Sequence, residues 1–187
     1  MITNSNILIV GSGGREHAIA SALARNPQTR IFAVMNRMNP GIAELAHKVL
    51  IAPETEPESI KKFCQENQIH FACIGPEAPL ETGVVDTLTE VGVKCMGPSR
   101  QAAKIETDKS FCRNLMKKYQ IPGLPEYHIF HSGKEAETFL DTSTKDYAIK
   151  PSGLTGGKGV RIMGEHLDKD EACAYVHELS GDIVIEE

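Results

Sequence analysis

The first hundred residues alternate short, continuously apolar runs with segments of helical periodicity. Residues 7–10, 31–35 and 71–74 are apolar at every position, which is typical of strands buried on both faces of a parallel sheet. Segments with apolar residues three and four positions apart follow these runs after short connections. Strand–helix units repeated in this way predict a doubly wound, Rossmann-like α/β domain, which we place at residues 1–106.

Ligands of doubly wound sheets bind beyond the carboxyl ends of the strands, and two glycine-containing loops fall there. The loop at residues 11–17 follows the first strand, and the loop at 75–77 follows the strand 71–74. We interpret the first loop as a phosphate-binding loop, because a helix N-terminus carries free amides to which Arg15 adds a bidentate donor. The alternative is that its glycines only let the helix pack closely on the strand.

The first loop departs from the dinucleotide-binding fingerprint. Gly11 and Gly13 match the first two glycines of G-x-G-x-x-G, but Glu16 occupies the place of the third. The second strand is followed by Asn36 and Arg37 rather than by an acidic residue that could bind a ribose hydroxyl. The pattern therefore argues against NAD binding.

Two side chains near these loops allow both a functional and a structural interpretation. His17 stands in the first turn of the predicted helix, where a hydrogen-bonded structural histidine is more common than a catalytic base. Glu77 lies between Pro76 and Pro79 in what we expect to be a rigid loop, ahead of a helix at residues 81–91. It is either a carboxylate aimed at a ligand or an exposed loop residue.

The second half of the chain contains its most glycine-rich segment. Four glycines and two lysines fall within residues 149–160, between two short apolar runs that predict strands. Glycines allow close backbone approach, and lysines suit phosphate. We interpret the segment as a flexible lid over the phosphates of a nucleotide; the alternative is a solvated hairpin whose lysines confer solubility. A Walker A loop is excluded, because only three residues separate Gly153 from Gly157 and a strand follows.

Residues around this segment predict a second domain at 107–187. The Pro- and Gly-rich stretch 121–125 leads into a strand at 127–130, and further helices and a strand at 183–187 follow. Lys109 falls in the first turn of a predicted helix, where a cation opposes the helix dipole. This position slightly favours a functional role for Lys109 over that of a solvated surface charge.

Composition excludes several classes of function. A net charge of −5 and the absence of tryptophan argue against a nucleic-acid-binding surface. No apolar run is long enough to span a membrane, and residues 1–6 lack a basic leader. The five cysteines are odd in number and lack C-x-x-C spacing. We therefore expect a cytoplasmic protein in a reducing compartment, without disulfides or a zinc site.

Four motifs together resemble one enzyme family. They are G-G-R-E-H-A at 13–18, G-P-E-A-P-L at 75–80, the lysine- and glycine-rich hairpin at 150–160, and I-V-I-E-E at 183–187. In this order they resemble the phosphoribosylamine–glycine ligases, the glycinamide ribonucleotide synthetases of purine biosynthesis. The hairpin alone would indicate only the wider ATP-grasp superfamily. The resemblance implies a Rossmann-like pre-ATP-grasp domain followed by part of an ATP-grasp domain.

The resemblance also implies a reaction. ATP, glycine and 5-phosphoribosylamine would give glycinamide ribonucleotide through a glycyl phosphate, with Mg²⁺ or Mn²⁺ as the metal. Such chemistry needs positioning and charge neutralisation rather than a protein nucleophile, and we assign no catalytic residue. The family's metal ligands would lie beyond residue 187. We therefore expect no metal ligand in this chain, which we interpret as an N-terminal fragment that is inactive alone.

By the same resemblance, two sets of residues would bind ligands. The phosphoribosylamine would lie against Gly11, Gly13, Gly14, Arg15, Glu16, His17, Gly75, Pro76 and Glu77. ATP would contact Lys109, Lys150, Gly153, Leu154, Thr155, Gly156, Gly157, Lys158, Gly159, Val160, Glu186 and Glu187, the last two at the adenine-binding hinge.

Two alternatives to this family stay open from the residues. One is another ATP-grasp carboxylate–amine ligase, such as a biotin-carboxylase-like enzyme or a different ligase of purine synthesis. The other is a non-catalytic module that binds a nucleotide or a sugar phosphate. Substrate-dependent ATP hydrolysis would separate the two ligases, and an enzyme would differ from a module by the presence of metal ligands downstream.

Overall fold

A computed structural model describes residues 5–187. The chain divides into two units, the first ending at Ala103 and the second running from Lys104 to Glu187. This division and the boundary predicted at residue 106 both fall within one helix, α6 (Arg100–Thr107). The boundary at residue 106 stays a prediction. The expectation that the chain lacks a leader rests partly on residues 1–4, which lie outside the described residues.

The first unit is built on a five-stranded parallel sheet of order β3-β2-β1-β4-β5. Its strands are β1 (Ser5–Val10), β2 (Thr29–Met35), β3 (Lys48–Ile51), β4 (Phe71–Ile74) and β5 (Lys94–Met96). The helices between them are α1 (Gly14–Leu23), α2 (Pro40–Leu45), α3 (Pro57–Glu66), α4 (Glu77–Glu81) and α5 (Val84–Glu90). The predicted doubly wound α/β class is confirmed.

Helices cover both faces of this sheet, which explains why its strands are apolar without alternation. Leu8 and Val10 of β1 pack with residues of α3 and α5 in the larger core. Ile9 points to the other face and packs with Ala20 of α1. Successive side chains of a strand point to opposite faces, so a strand covered on both sides must be apolar at each position.

The segment after β4 differs from the prediction. Glu77 is the first residue of α4, a short helix where a loop was expected, and the helix expected at 81–91 is α5, which begins only at Val84. Gly83 separates them with a φ of +83°, a left-handed conformation that glycine adopts readily. The sequence does not predict this break between α4 and α5, because a single glycine such as Gly83 also occurs inside helices.

The second unit is built on a four-stranded antiparallel sheet of order β6-β9-β7-β8. Its strands are β6 (Tyr127–Phe130), β7 (Ala148–Pro151), β8 (Arg161–Ile162) and β9 (Ile183–Glu186). The helices are α7 (Lys109–Lys118), α8 (Gly133–Thr142) and α9 (Lys169–Glu178). The predicted hairpin is present: β7 and β8 pair in antiparallel orientation, and residues 152–160 connect them.

One face of this second sheet forms the apolar core of the unit. Ile149 of β7 and Ile185 of β9 lie opposite each other and pack with Leu140 of α8 and Val176 of α9. Lys150 and Glu186 are the next residues on these strands, so their side chains point to the other face. The strand register therefore separates the apolar core from a charged face.

None of the helices in residues 5–187 combines the length and the apolar character that crossing a membrane requires. All five cysteines are free thiols. Burial raises the pKa of the Cys64 thiol to about 12, which makes this cysteine a core side chain rather than a reactive group.

Candidate functional site

The loops that follow β1 and β4 lie side by side, because these two strands are neighbours in the sheet. Gly11 has a φ of +129°, and a Cβ there would lie 2.5 Å from Cγ of Glu16 and 2.9 Å from Cδ of Pro76. A Cβ on Gly75 would lie 2.6 Å from Cδ of Glu16. Glycine is therefore required at both positions because the two loops close around the side chain of Glu16.

Glu16 is the buried centre of this first cluster. Its residue is only 3% exposed, and its carboxylate accepts the N–H of Gly13 at 2.8 Å and Nε–H of Arg15 at 3.1 Å. The carboxylate thus binds an amide at the N-terminus of α1 that we expected to be available to a phosphate. Where the dinucleotide fingerprint has its third glycine, this chain has a carboxylate that links two loops.

Arg15 joins the two predicted loops at the surface. Its guanidinium nitrogens lie 3.2 and 3.3 Å from Oε1 of Glu77, and its side chain is 58% exposed. The hydrogen bond with Glu16 is the main reason that the pKa of Arg15 is raised. Burial acts in the opposite direction, and the hydrogen bond with Glu77 raises the pKa further. His17 instead packs over α2, where a Cβ on Gly41 would lie 2.5 Å from its Nε2. This contact fits the structural interpretation of His17.

Polar residues at the same sheet edge were not identified from the sequence. Oγ of Ser12 donates to Oδ1 of Asn36 at 2.7 Å, and Nδ2 of Asn39 donates to the carbonyl of Ser12 at 3.0 Å. The buried Glu54 accepts the N–H of Asn36 at 3.1 Å. Each follows a strand at its carboxyl end, and that position was the only signal that could have indicated them.

The tip of the glycine-rich hairpin is open. Gly156 and Gly157 have φ values of +59° and +78°. Apart from the adjacent residues, no described atom lies within 4 Å of the place where a Cβ on Gly153, Gly156 or Gly157 would stand. Lys158 is exposed, and its N–H donates to the carbonyl of Thr155 at 3.2 Å. This part of the backbone can therefore accept a bulky ligand without displacing another segment of the unit.

The downstream end of the hairpin is fixed to α9. The hydroxyl of Tyr175 donates to the carbonyl of Gly159 at 2.8 Å. The guanidinium of Arg161 donates to the carbonyls of Lys158 and Val160, both at 3.2 Å, and lies 5.6 Å from the ring centroid of Tyr175. One end of the segment is thus tethered while the tip is not.

The upstream end of the hairpin is fixed to the N-terminus of α7. The N–H of Lys109 donates to the carbonyl of Ser152 at 2.9 Å, and its ammonium donates to the carbonyl of Gly153 at 2.9 Å. Oγ of Ser152 accepts the N–H of Ser110 at 2.9 Å and donates to Asp108, the N-cap of α7, at 2.8 Å. Lys109 lies in the first turn of α7, as predicted.

A buried carboxylate gathers cations beneath the hairpin. Glu186 is 2% exposed, and it accepts Nε–H and Nη2–H of Arg113 at 2.6 and 2.9 Å and the ammonium of Lys150. Lys150 is a diagonal neighbour of Glu186 across the β7–β9 ladder, within reach of a long side chain. We call Lys109, Lys150, Arg113 and Glu186 the cationic cluster.

The pKa values of the cluster reflect burial and mutual charge. Burial alone would raise the pKa of Glu186, but the hydrogen bonds from Arg113 and Lys150 outweigh it and hold the pKa below its usual range. Burial, and then the nearby charge of Lys150, lower the pKa of Lys109. The lowered pKa of Lys109 indicates that its ammonium stands in a partly dehydrated, positively charged environment.

The structure brings together some of the predicted ATP-binding residues and leaves others apart. Lys109, Lys150, Gly153 and Glu186 lie around the base of the hairpin. Glu187 does not join them: its exposed carboxylate pairs with Lys145 at 2.7 Å. Arg113 was missed, because nothing in its sequence neighbourhood marks it. Within residues 5–187, no group of three or more His, Cys, Asp or Glu side chains is arranged to hold a metal ion.

Two family models match the chain in succession. The phosphoribosylglycinamide synthetase N domain matches residues 5–106, and the ATP-grasp (A) domain of the same synthetase matches residues 107–187. The chain belongs to the phosphoribosylglycinamide synthetase family. The family resemblance predicted from the four motifs is thereby confirmed, together with the fold class, a Rossmann-like domain followed by ATP-grasp sequence.

Curated members of the phosphoribosylglycinamide synthetase family are similar over nearly the whole chain. A phosphoribosylamine–glycine ligase of Methanoregula boonei is 55% identical over 181 residues, which are 97% of this chain and 42% of that protein. One of Methanocorpusculum labreanum is 48% identical over 179 residues, which are 96% of this chain and 42% of that protein. The chain thus spans about 42% of the length of these curated relatives.

Solved structures resemble the chain in fold. A phosphoribosylamine–glycine ligase of Thermotoga maritima has a TM-score of 0.74 at 25% identity and covers 97% of this chain and 43% of that one. An N5-carboxyaminoimidazole synthetase of Staphylococcus aureus, complexed with ADP, has a TM-score of 0.76 at 12% identity and covers 100% and 47%. The second comparison concerns the fold alone, because its sequence identity is low.

Proposed function

We propose that this chain is part of an ATP-dependent carbon–nitrogen ligase that joins glycine to 5-phosphoribosylamine to give glycinamide ribonucleotide, a step of purine synthesis. The observation that carries the proposal is the successive match of both synthetase domains along residues 5–106 and 107–187. The names of the relatives support it, although the chain spans about 42% of their length.

The cationic cluster and the open hairpin fit the phosphates of ATP. Lys109 and Lys150 lie at the base of a turn whose glycines leave room for close backbone approach. In our proposal the two ammonium groups contact phosphate oxygens, and the tip of the hairpin, residues 154–157, folds over them. Lysine is suited to this because it carries a point charge on a flexible stem.

The other proposed ligands are assigned by region. The phosphoribosylamine would bind along the loops 11–17 and 75–77, with the exposed Arg15 as a donor to its phosphate. Mg²⁺ or Mn²⁺, which the resemblance implies, would supply charge neutralisation at the transferred phosphoryl group. The resemblance places the ligands of this metal beyond residue 187, so we assign it none in this chain.

The residues of this chain would bind, orient and shield rather than form a covalent intermediate. Phosphoryl transfer to a carboxylate and attack by an amine need reactants held in line and developing charge balanced by fixed cations. Lys109 and Lys150 would hold the nucleotide's anionic end in place. The hairpin would exclude water from the acyl phosphate, whose hydrolysis would waste ATP.

The reaction itself tests the proposal. We expect the protein that carries this sequence, at its full natural length, to release ADP only when glycine and 5-phosphoribosylamine are both present. ADP release that depends on a different carboxylate or amine substrate would refute the proposal in favour of another ATP-grasp ligase. ATP binding without release of ADP under any of these conditions would favour a binding module.

A substitution of Lys150 tests the assignment of the nucleotide site. We expect Lys150→Ala to lower ATP affinity by about tenfold or more, because one of two phosphate-facing charges is lost. The variant should fold, since Arg113 still compensates the buried Glu186. Calorimetric titration with ATP measures the first effect, and circular dichroism checks the second. An unchanged ATP affinity would contradict the assignment.

A further inference from the structure

We infer that Arg113 is a positioning residue. It neutralises the negative charge of Glu186, so that the charge of Lys150 stays available to phosphate. This inference rests on the proposed function, because it concerns the same nucleotide site. Neither the sequence motifs nor the positions predicted from the family resemblance include Arg113.

Arg113 makes more hydrogen bonds to Glu186 than Lys150 does. The planar guanidinium contacts both carboxylate oxygens, at 2.6 and 2.9 Å, while Lys150 contacts Oε1 only. The hydrogen bonds to Glu186 are the main reason that the pKa of Arg113 is raised. A fork-shaped donor that matches a carboxylate is the geometry in which arginine differs from lysine. Arg113 is therefore the principal partner of Glu186.

The charge balance explains why a second partner matters. A carboxylate that is 2% exposed needs a cation to balance its charge. If Lys150 were its only partner, the positive charge of Lys150 would be neutralised. With Arg113 present, three cations face one carboxylate, so the cationic cluster keeps an excess of positive charge. Asp108, the N-cap of α7, is occupied by the N–H of Phe111 and the hydroxyl of Ser152. The charge of Glu106 also acts on Lys109 but leaves the pKa of that lysine lowered. The excess is available to an anion.

The ammonium of Lys150 keeps N–H donors that Glu186 does not use. An ammonium has three N–H donors, and the contact with Glu186 uses one. The contact also fixes the direction of a side chain that is otherwise flexible. Arg113 and Glu186 together would thus hold Lys150 in one orientation without neutralising it, which is pre-organisation for a phosphate oxygen.

The test compares the nucleotide affinity of matched charge-loss variants of the full-length protein. Arg113→Met and Lys117→Met each remove one cation from α7, but Lys117 is exposed and does not belong to the cationic cluster. We expect Arg113→Met to weaken ATP binding about tenfold, because the cluster loses half of its excess charge. Its affinity for adenosine should be unchanged, and Lys117→Met should alter neither.

A double variant separates positioning from a merely structural role. Arg113→Met/Glu186→Gln removes the arginine and the carboxylate together, which restores the local net charge and frees Lys150. We expect the double variant to bind ATP more tightly than Arg113→Met alone, because Glu186 no longer neutralises Lys150 and close charge partners are non-additive. Additive loss in the double variant, or equal loss of ATP and adenosine affinity in Arg113→Met, would overturn the inference.

The remaining outcomes are also decisive. Where Arg113→Met does not fold, the double variant carries the test, because it leaves no uncompensated carboxylate in the interior. If Arg113→Met binds ATP as Lys117→Met does, the inference is wrong and the proposed function stands. If the wild-type protein does not bind ATP, the proposed function fails and the inference fails with it.

Discussion

Glu16 shows how much of a loop's shape can depend on one residue. Its carboxylate occupies the space above Gly13 and Gly75 and binds the N–H of Gly13. From the sequence, Glu16 breaks a dinucleotide fingerprint and, by the family resemblance, would contact the phosphoribosylamine. In the structure it is the side chain around which the loops after β1 and β4 close. The glycines of these loops therefore make room for the carboxylate of Glu16.

A glycine substitution measures this packing. We predict that Gly75→Ala lowers the free energy of unfolding by about 1–3 kcal/mol, because the added methyl group would overlap the carboxylate of Glu16. Gly14→Ala is the control: it lies at the start of α1 with no described atom within 4 Å of its Cβ position. The control should be neutral or slightly stabilising. Urea denaturation compares the two, and equal stability would contradict the packing argument.

At the scale of elements, the hairpin between β7 and β8 is fixed at both ends and open at its tip. The upstream end is hydrogen-bonded to the start of α7, and the downstream end to Tyr175 of α9. The segment free to move is therefore about residues 154–157, between the bonded carbonyls of Gly153 and Lys158. A lid limited in this way can close without disturbing the sheet that carries it.

Removing one hydroxyl should lengthen the mobile segment. We predict that Tyr175→Phe costs about 1 kcal/mol of local stability, because the hydrogen bond to Gly159 is lost while the ring can still pack beneath Arg161. Hydrogen exchange should then speed up at residues 158–161 with little change in melting temperature. Tyr127→Phe, which loses a hydrogen bond to Asn114, is the control and should leave exchange in the hairpin unaltered.

The contact between α7 and β9 should make the second unit sensitive to acid. Hydrogen bonds from Arg113 and Lys150 lower the folded-state pKa of Glu186, despite the opposing effect of burial. Its stabilising contribution is therefore complete above its unfolded-state pKa of about 4.3 and is lost as the pH falls through the lower folded-state value.

Comparison of two proteins isolates this contribution. From about pH 5 downward, the free energy of unfolding of the wild type should fall more steeply than that of Arg113→Met/Glu186→Gln, which lacks the titrating carboxylate. Denaturant titrations at several pH values would show the difference. Parallel curves for the two proteins would show that Glu186 does not contribute to acid sensitivity.

At the scale of the whole molecule, the chain spans about 42% of the length of the curated relatives named phosphoribosylamine–glycine ligase. A ligase of three substrates must hold all of them in one arrangement, and each misplaced group raises the barrier. The residues described here include candidate contacts for the nucleotide and the sugar phosphate. More than half of the length of these relatives lies outside the region that this chain matches, and that part could contribute further contacts.

We predict that a polypeptide of residues 1–187 alone shows no ADP release dependent on glycine and 5-phosphoribosylamine. The reason is that the resemblance places the family's metal ligands beyond this segment, and phosphoryl transfer without a bound metal lacks its main charge partner. A coupled assay for ADP measures turnover, with the full-length protein as the positive control. Substrate-dependent turnover by the segment alone would refute the prediction.

Much of the fold follows from local patterns in the sequence. Uninterrupted apolar runs predicted a parallel sheet with both faces covered, and four motifs in order predicted the family. The glycine-rich hairpin and the place of Lys109 at a helix start were likewise predicted correctly. These features were accessible because periodicity, turn chemistry and motif spacing are properties of neighbouring residues.

Only the tertiary structure decided which charges meet. Arg113 and Glu186 are 73 positions apart, and Lys150 reaches Glu186 because β9 inserts between β6 and β7 with a particular register. The sequence contains the three residues but not the register, which depends on side-chain packing over the whole sheet. The same is true of Glu16 and Gly75, which meet because β1 and β4 are neighbours although three helices and two strands separate them along the chain. The sequence by itself thus determined the elements and the family, while the folded chain determined the partners of each buried charge.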